Sequence, residues 1–194
     1  AFMYDGFLYH FVKIGNQDWI VENFRGEHYL NGDPIPYILE DTAWITATTG
    51  ALCYYEHLKE NFNDYGCLYN FYVIEDSRGI CPPGWRIPTE DDYYEMITSI
   101  SSFKTLREIG YDYWLPPNTG ANNETGFSAR GAGNRGIHIN VGYVGKFADL
   151  KKDIHFHVNE SFANLSAAFN LSYLNGGSFG YNQKNRGSSI RFVR

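Results

Sequence analysis

The chain has 194 residues, 22 acidic against 16 basic side chains, a formal net charge of −6 and 18% aromatic residues. This balance argues against a nucleic-acid partner, because phosphate recognition needs clustered Lys and Arg and the basic residues here are scattered. No stretch approaches the roughly 20 apolar residues of a membrane span. The length suits one domain over residues 1–194, since no linker or charge run divides it.

The first predicted element is a β-hairpin. Residues 7–14 and 17–21 read as two strands around the tight turn Gly15-Asn16, with alternating apolar positions on the second strand. Residues 24–50 carry Gly and Pro without periodicity and predict a surface loop that ends at Trp44. Residues 68–74 are then expected to pack against the main helix.

The main helix is predicted from Glu90, with Thr89 as its cap. Asp92 stands at the third helical position, where its carboxylate can reach back to the cap. Four apolar residues share one helical face and predict its buried side: Tyr93, Met96, Ile97 and Ile100. Just upstream, the rigid turn of residues 81–84 presents Trp85, which we interpret as a core anchor.

The second half is predicted to be rich in strands. A short helical turn over residues 103–109 is expected to end at Gly110. Residues 153–159 alternate polar and apolar side chains and predict a strand with one solvated face. Residues 161–173 and 186–194 supply the closing strands.

Two groups of polar residues have the side chains that a metal site needs. Asp153, His155 and His157 alternate on one strand face and could hold zinc, but a solvated strand face explains them with fewer requirements. The oxygen-bearing side chains of Asn118, Asn122, Asn123 and Glu124 could ligate a hard cation, although turn chemistry explains this loop first. The sequence therefore predicts neither a metal nor a cofactor.

The candidate ligand-binding residues are Tyr111, Tyr113, Trp114, Asn118 and Asn122. Exposed aromatic rings can stack on sugar faces while neighbouring amides bond hydroxyl groups. The alternative, which we favour, is a core Trp with two tyrosines at its rim. No nucleophile has a recognisable base, so no catalytic residues are predicted and the chain is not expected to be an enzyme.

Three cysteines, Cys53, Cys67 and Cys81, form an odd set. Their spacing of 14 residues lacks C-x-x-C character and argues against zinc or a redox dithiol. Either one bridge joins two of them, or all three are buried thiols.

Several segments resemble the Fibrobacter succinogenes major paralogous domain family. They are Ile14 to Trp19 with Glu22-Asn23, then residues 65–71, 81–93, 123–128 and 189–194. The resemblance implies an α+β domain with a C-type-lectin-like core, a β-rich second half and one well-capped main helix. It also implies a secreted or outer-surface bacterial protein, with a signal or lipid-anchor segment upstream.

The chain departs from that family at Phe192, where many members have a cysteine. We therefore expect no bridge to the C-terminal segment and favour three free thiols. The predicted function is a non-catalytic binding or adhesion module for a glycan or a surface protein. The rival predictions are a structural subunit of a surface assembly and an enzyme of the formylglycine-generating-enzyme-like fold with altered chemistry.

Overall fold

The structure is a computed structural model that describes residues 1–138, 142–174 and 176–194. Two hairpins open the chain: β1 (Phe2–Tyr4) pairs with β2 (Phe7–Tyr9), and β3 (Phe11–Ile14) pairs with β4 (Gln17–Ile20). The hairpin around Gly15 is thus confirmed. The single strand expected over residues 7–14 is wrong, because the chain is interrupted at His10, whose backbone N–H donates to the Glu22 carboxylate at 2.8 Å.

The following segment holds short elements. They are α1 (Asp41–Thr46), β5 (Leu52–Cys53), a 3-10 turn at Tyr55–His57, α2 (Lys59–Tyr65), β6 (Leu68–Tyr69) and α3 (Tyr72–Glu75). The loop predicted to end at Trp44 instead contains helix α1, with the Trp44 ring fully buried. Helix α1 escaped prediction because one turn and a half of helix carries too little periodicity to be read.

Helix α4 (Glu90–Thr98) confirms the clearest sequence prediction. The Thr89 hydroxyl accepts the Asp92 N–H, and the Asp92 carboxylate accepts the Thr89 N–H at 2.8 Å. Tyr93 and Met96 are fully buried. Residues 68–74 were expected to pack on this helix, but Tyr69 and Val73 lie in a different apolar cluster.

The second predicted helical turn is shorter than expected. A 3-10 turn covers Phe103–Leu106, and Gly110 follows it in the left-handed region without capping it. The chain leaves the helical path because the Glu108 N–H donates to the Ala129 carbonyl at 3.0 Å.

Five strands form the main sheet. They are β7 (Ala132–His138), β8 (Tyr143–Leu150), β9 (Asp153–Phe162), β10 (Leu165–Ser172) and β11 (Gly176–Gln183). Their order is β11-β10-β9-β7-β8, and neighbours are antiparallel except β7 and β9, which run parallel. The β-rich second half is confirmed, and strand β11 was not foreseen.

The C-terminal residues do not form the closing strand that was predicted. They make isolated β-bridges instead. Ser188 pairs with Tyr69, and Ser189 pairs with Phe156. Val193 pairs with both Trp19 and Arg86. The segment is buried because it passes between the first half of the chain and the sheet. It ties the elements into one α+β domain.

Two large apolar clusters make up most of the core. One joins α4, the hairpin β3–β4 and the main sheet; the other joins β2, β4 and the C-terminal segment. Trp85 is 7% exposed in the second cluster and stacks on Phe2 at 5.4 Å between ring centroids, so its role as a core anchor is confirmed.

The three cysteines are free thiols. Cys53 and Cys67 are fully buried and Cys81 is partly buried. Phe192, at the position where many relatives have cysteine, is buried in the second apolar cluster. Its ring meets the Phe24 ring edge-on, with 5.0 Å between the ring centroids. Aromatic packing therefore occupies the expected place of a bridge. No helix in the part of the chain described is long and apolar enough to cross a membrane.

Candidate functional site

The structure divides the five candidate ligand-binding residues. Trp114 is fully buried, and its indole N–H donates to the Ala129 carbonyl at 2.8 Å. Asn118 is also buried, and its amide donates to the carbonyls of Glu108 and Gly110, both at 3.0 Å. Trp114 thus offers no face to a ligand, and the alternative that placed it in the core is correct.

The other three candidates lie nearer the surface. Tyr111 is 60% exposed. Asn122 is exposed, and its side-chain Oδ1 accepts the backbone N–H of Glu124 at 3.2 Å. Tyr113 is half-buried under the Arg130 guanidinium, whose carbon lies 3.6 Å from the ring centroid. These residues do not share one exposed surface with Trp114, and ligand binding by Tyr111 and Asn122 stays a prediction.

The strand face at Asp153, His155 and His157 is not solvated as predicted. Strand β9 is an inner strand of the sheet, and residues 153–158, which alternate between its two faces, are all buried or half-buried. The His157 ring is buried, donates from Nε2 to the Tyr69 carbonyl at 2.7 Å, and has its pKa lowered by burial to about 4. Within the described residues, no three His, Cys, Asp or Glu side chains are grouped to hold a metal.

Segments that carry the family resemblance meet at Arg191. Its guanidinium is 1% exposed and donates to the Asn23 side-chain oxygen at 3.0 Å, to the Phe127 carbonyl and to the Ser128 carbonyl at 3.2 Å. It also lies over the Phe127 ring at 4.2 Å. Asn23, Ser128 and Arg191 come from three separate segments of the sequence, so this side chain holds distant loops together.

A cavity of about 180 Å³ opens beside Arg191, and we call it the Arg191 cleft. Its charged lining consists of Glu22, Arg25, Asp64, Glu108, Arg130 and Arg191. The Glu108 carboxylate accepts from Arg130 Nε at 2.6 Å. Tyr113 borders the cleft only indirectly, through Arg130.

A second concavity of about 200 Å³ lies at the end of strand β11, and we call it the Tyr181 groove. It is lined by Ile137, Leu165, Tyr181, Asn182, Gln183, Asn185 and Arg186. Tyr181 is 58% exposed. Across the described residues, the side-chain amides of Asn182 and Gln183 have no hydrogen-bond partner.

Arg186 is the charged residue that lines the Tyr181 groove. Its Nη2 donates to the Asn134 side-chain oxygen at 2.9 Å, while its buried Nε has no acceptor among the described residues. Burial lowers the pKa of this guanidinium. The groove therefore combines one exposed aromatic ring with free amide groups and an incompletely bonded cation, the side-chain types that bind hydroxyl-rich ligands.

Neither concavity was foreseen from the sequence. The Arg191 cleft gathers residues up to 170 positions apart, and no local pattern reports such a contact. The groove had one readable signal, the dipeptide Tyr181-Asn182 followed by Gln183, which pairs an aromatic with amides as the predicted loop does.

The architecture defines the class first: an α+β domain built on a mixed five-stranded sheet and tied together by its C-terminal segment. The family model of the Fibrobacter succinogenes major domain matches residues 12–194, so the chain belongs to that family. No curated protein and no solved structure matches the chain.

Proposed function

We propose that this chain is a non-catalytic module of a bacterial outer surface or secreted protein, and that it binds glycan in the Tyr181 groove. The observation that carries the proposal is the exposed Tyr181 ring beside two side-chain amides that have no partner among the described residues. An aromatic face stacks on the C–H face of a sugar ring, and amides donate to and accept from its hydroxyl groups.

The groove serves this role better than the loop that the sequence favoured. In the loop, Trp114 and Asn118 are buried and their polar atoms hold backbone carbonyls. In the groove, the side-chain amides of Asn182 and Gln183 have no partner within the described part of the chain and are open to a ligand. The same combination of chemistry is therefore available at a different place in the fold.

The non-catalytic part of the proposal rests on the Arg191 cleft. Its aliphatic hydroxyl group, Ser128 Oγ, donates to the Gly126 carbonyl at 3.2 Å and accepts from the Asn123 amide at 2.8 Å. The nearby Glu108 is held by Arg130. A nucleophile needs a neighbouring base, and these contacts provide none to Ser128.

The outer-surface location, an anchor upstream and a C-type-lectin-like core belong to the same proposal. Their support is the family resemblance of the motifs around Trp85 and Arg191 together with the aromatic-rich composition. The proposed partner is a glycan, with a surface protein as the alternative ligand.

A glycan array tests the proposal with two matched variants. Tyr181→Ala and Tyr111→Ala each remove a tyrosine that is about equally exposed, 58% and 60%. We expect the wild-type chain and Tyr111→Ala to bind the same glycans, and Tyr181→Ala to lose at least tenfold in affinity. Thermal melting of both variants checks that each remains folded.

The opposite outcomes are equally informative. If only Tyr111→Ala loses binding, the site lies in the loop that the sequence favoured and the groove is rejected. If the wild-type chain binds no glycan on a broad array, glycan binding itself is contradicted.

A structural role in a surface assembly is the second candidate, and one observation favours it. Strand β11 lies at the edge of the main sheet, and residues 165–183 contain no Asp, Glu, Lys, Arg or His. Edge strands usually carry charges that block pairing with another chain. Sedimentation of the wild type and Ser178→Lys tests this, because self-association that the lysine abolishes would support assembly through β11.

A further inference from the structure

Among the described residues, Arg191, which lines the cleft, has no carboxylate within ion-pair distance. A guanidinium has five N–H groups. Three of those on Arg191 find acceptors, all of them uncharged oxygens, and the other two have none among the described residues. Burial lowers the pKa of Arg191 to about 9, against smaller opposing effects of the Glu22 and Glu108 carboxylates.

The carboxylates of the cleft are engaged elsewhere or lie at its rim. Glu108 is bound to Arg130, with Oε2 2.6 Å from Nε. Glu22 is bound to His10, with Oε1 2.7 Å from Nδ1. Asp64 is exposed, and its backbone carbonyl accepts from Arg130 at 3.0 Å.

Arg25 is the second guanidinium of the cleft without a carboxylate partner within the described residues. It lies over the Phe7 and Tyr9 rings at 5.0 and 5.6 Å, and its Nη2 donates to the Leu8 carbonyl at 3.1 Å. Its Nε is buried and has no hydrogen-bond acceptor in the part of the chain described. Its Nη1 is not buried and also has no acceptor among the described residues, so both cations of the cavity have N–H groups to offer.

We propose that the Arg191 cleft binds the carboxylate of a small sugar acid, with Arg25 and Arg191 as the groups that hold it. A carboxylate accepts strong charge-assisted hydrogen bonds from guanidinium groups. The volume of about 180 Å³ admits a ligand of monosaccharide size and excludes a buried polymer. The polar rim at Asn63 and Asp64 can meet hydroxyl groups. This site is separate from the Tyr181 groove and does not depend on it.

Calorimetric titration of the whole chain with glucuronate and glucuronamide tests the proposal. The two probes differ only in the carboxylate, so any difference in affinity reports its recognition. We expect glucuronate to bind at least tenfold more tightly than glucuronamide. Equal affinities, or no binding of glucuronate, would overturn the proposal.

Two variants locate the binding site. Arg25→Gln removes a cleft cation that lies over two aromatic rings, and Arg194→Gln is its matched control, since Arg194 lies over Phe11 and Trp85 outside the cleft. We expect Arg25→Gln to lose at least tenfold in glucuronate affinity and Arg194→Gln to keep wild-type affinity. Equal losses in both variants would contradict the proposal.

A measurement on the wild type covers the case in which Arg25→Gln fails to fold. Glucuronate should shift the backbone amide resonances of Asn23, Ser128 and Arg191, which surround the cleft. Shifts confined to the Tyr181 groove would reject the cleft, and they would leave the proposed glycan site standing. Loss of glycan binding in Tyr181→Ala with glucuronate binding intact would show that the two sites are separate.

Discussion

At the scale of single residues, this fold uses buried arginines to satisfy backbone carbonyls of irregular loops. Arg107 donates to the carbonyls of Ser172 and Thr119, and Arg135 donates to those of Gly145, Ile38 and Leu39. Arg191 does the same at the cleft. A loop buried without such donors would leave polar atoms unpaired, at a cost of about 1–3 kcal/mol each.

His157 should make stability depend on pH. It is buried and neutral, with a pKa of about 4 against 6.5 in the unfolded chain. As pH falls below 6.5 the unfolded chain takes up a proton that the folded chain refuses until about pH 4, so folding stability is lost across this window. The expected loss from this residue is about 3 kcal/mol.

Denaturant unfolding of the wild type and His157→Gln at pH 7 and pH 4 measures this effect. Gln keeps an N–H donor for the Tyr69 carbonyl and cannot titrate. The wild type should lose about 3 kcal/mol more than the variant between these pH values. Equal losses would show that His157 is not buried as described.

Trp85→Ala should destabilise the domain by about 3–5 kcal/mol, because it leaves a cavity where the indole packs on Phe2 and Phe11. Chemical unfolding measures the change in free energy. Trp85→Phe is the control, since a smaller aromatic ring retains part of these contacts and should cost less. A melting temperature unchanged in Trp85→Ala would mean that the ring is exposed in solution.

At the scale of elements, helix α4 shows what a local signal can specify. Its cap is completed within four residues, and Asp92 also accepts from Arg86 Nη2 at 2.6 Å and Gln17 Nε2 at 3.0 Å. Burial raises the pKa of Asp92, but the hydrogen bonds from Arg86 and Thr89 outweigh it and hold the pKa below its usual value. The helix start is therefore joined to the hairpin β3–β4.

Removing the cap tests that account. Thr89→Ala deletes the hydroxyl that accepts the Asp92 N–H, and should lower the free energy of unfolding by about 1 kcal/mol. Thr98→Ala, near the exposed end of the same helix, should change stability by less than about 0.5 kcal/mol. If the two substitutions lower the free energy of unfolding equally in denaturant, the capping box does not stabilise the helix.

The elements that the sequence predicted share one property: their signals lie within a few consecutive residues. The hairpin needed only Gly15-Asn16 and its flanking strands, and α4 needed only its cap and one apolar face. Strand β11 was missed because its Gly-rich residues lack a clear alternation. The face of β9 was misjudged because the cover over His157 comes from Tyr69 and Phe71, far away in sequence.

For the candidate site too, the local pattern could be read from the sequence but the contacts made by distant residues could not. The sequence pointed to an aromatic ring with neighbouring amides as the binding chemistry, which stays a prediction, but it could not show which copy of that pattern would be exposed. Trp114 is covered because its indole N–H reaches the Ala129 carbonyl across a loop, whereas Tyr181 lies on an edge strand. Exposure is a property of the tertiary fold, so it could not be read from either segment.

At the scale of the whole molecule, the reactivity of the three cysteine thiols measures how well the core excludes solvent. Burial raises the pKa of Cys53 to about 12 and raises those of Cys67 and Cys81 as well. A thiol reacts as its thiolate, so reaction in the native state should be slow. Without reductant, thiol titration should find three reactive groups per chain in denaturant. One reactive group would reveal a bridge and contradict the free-thiol state.

The most direct test of the central claim is to locate a bound glycan on the wild-type chain by backbone amide chemical shifts, using the tightest ligand found on an array. Shifts centred on Tyr181, Asn182, Gln183 and Arg186 are the result we predict, with Tyr111 and Asn122 unmoved. Shifts centred on Tyr111 and Asn122, or no saturable shift at any residue, would contradict glycan binding in the Tyr181 groove.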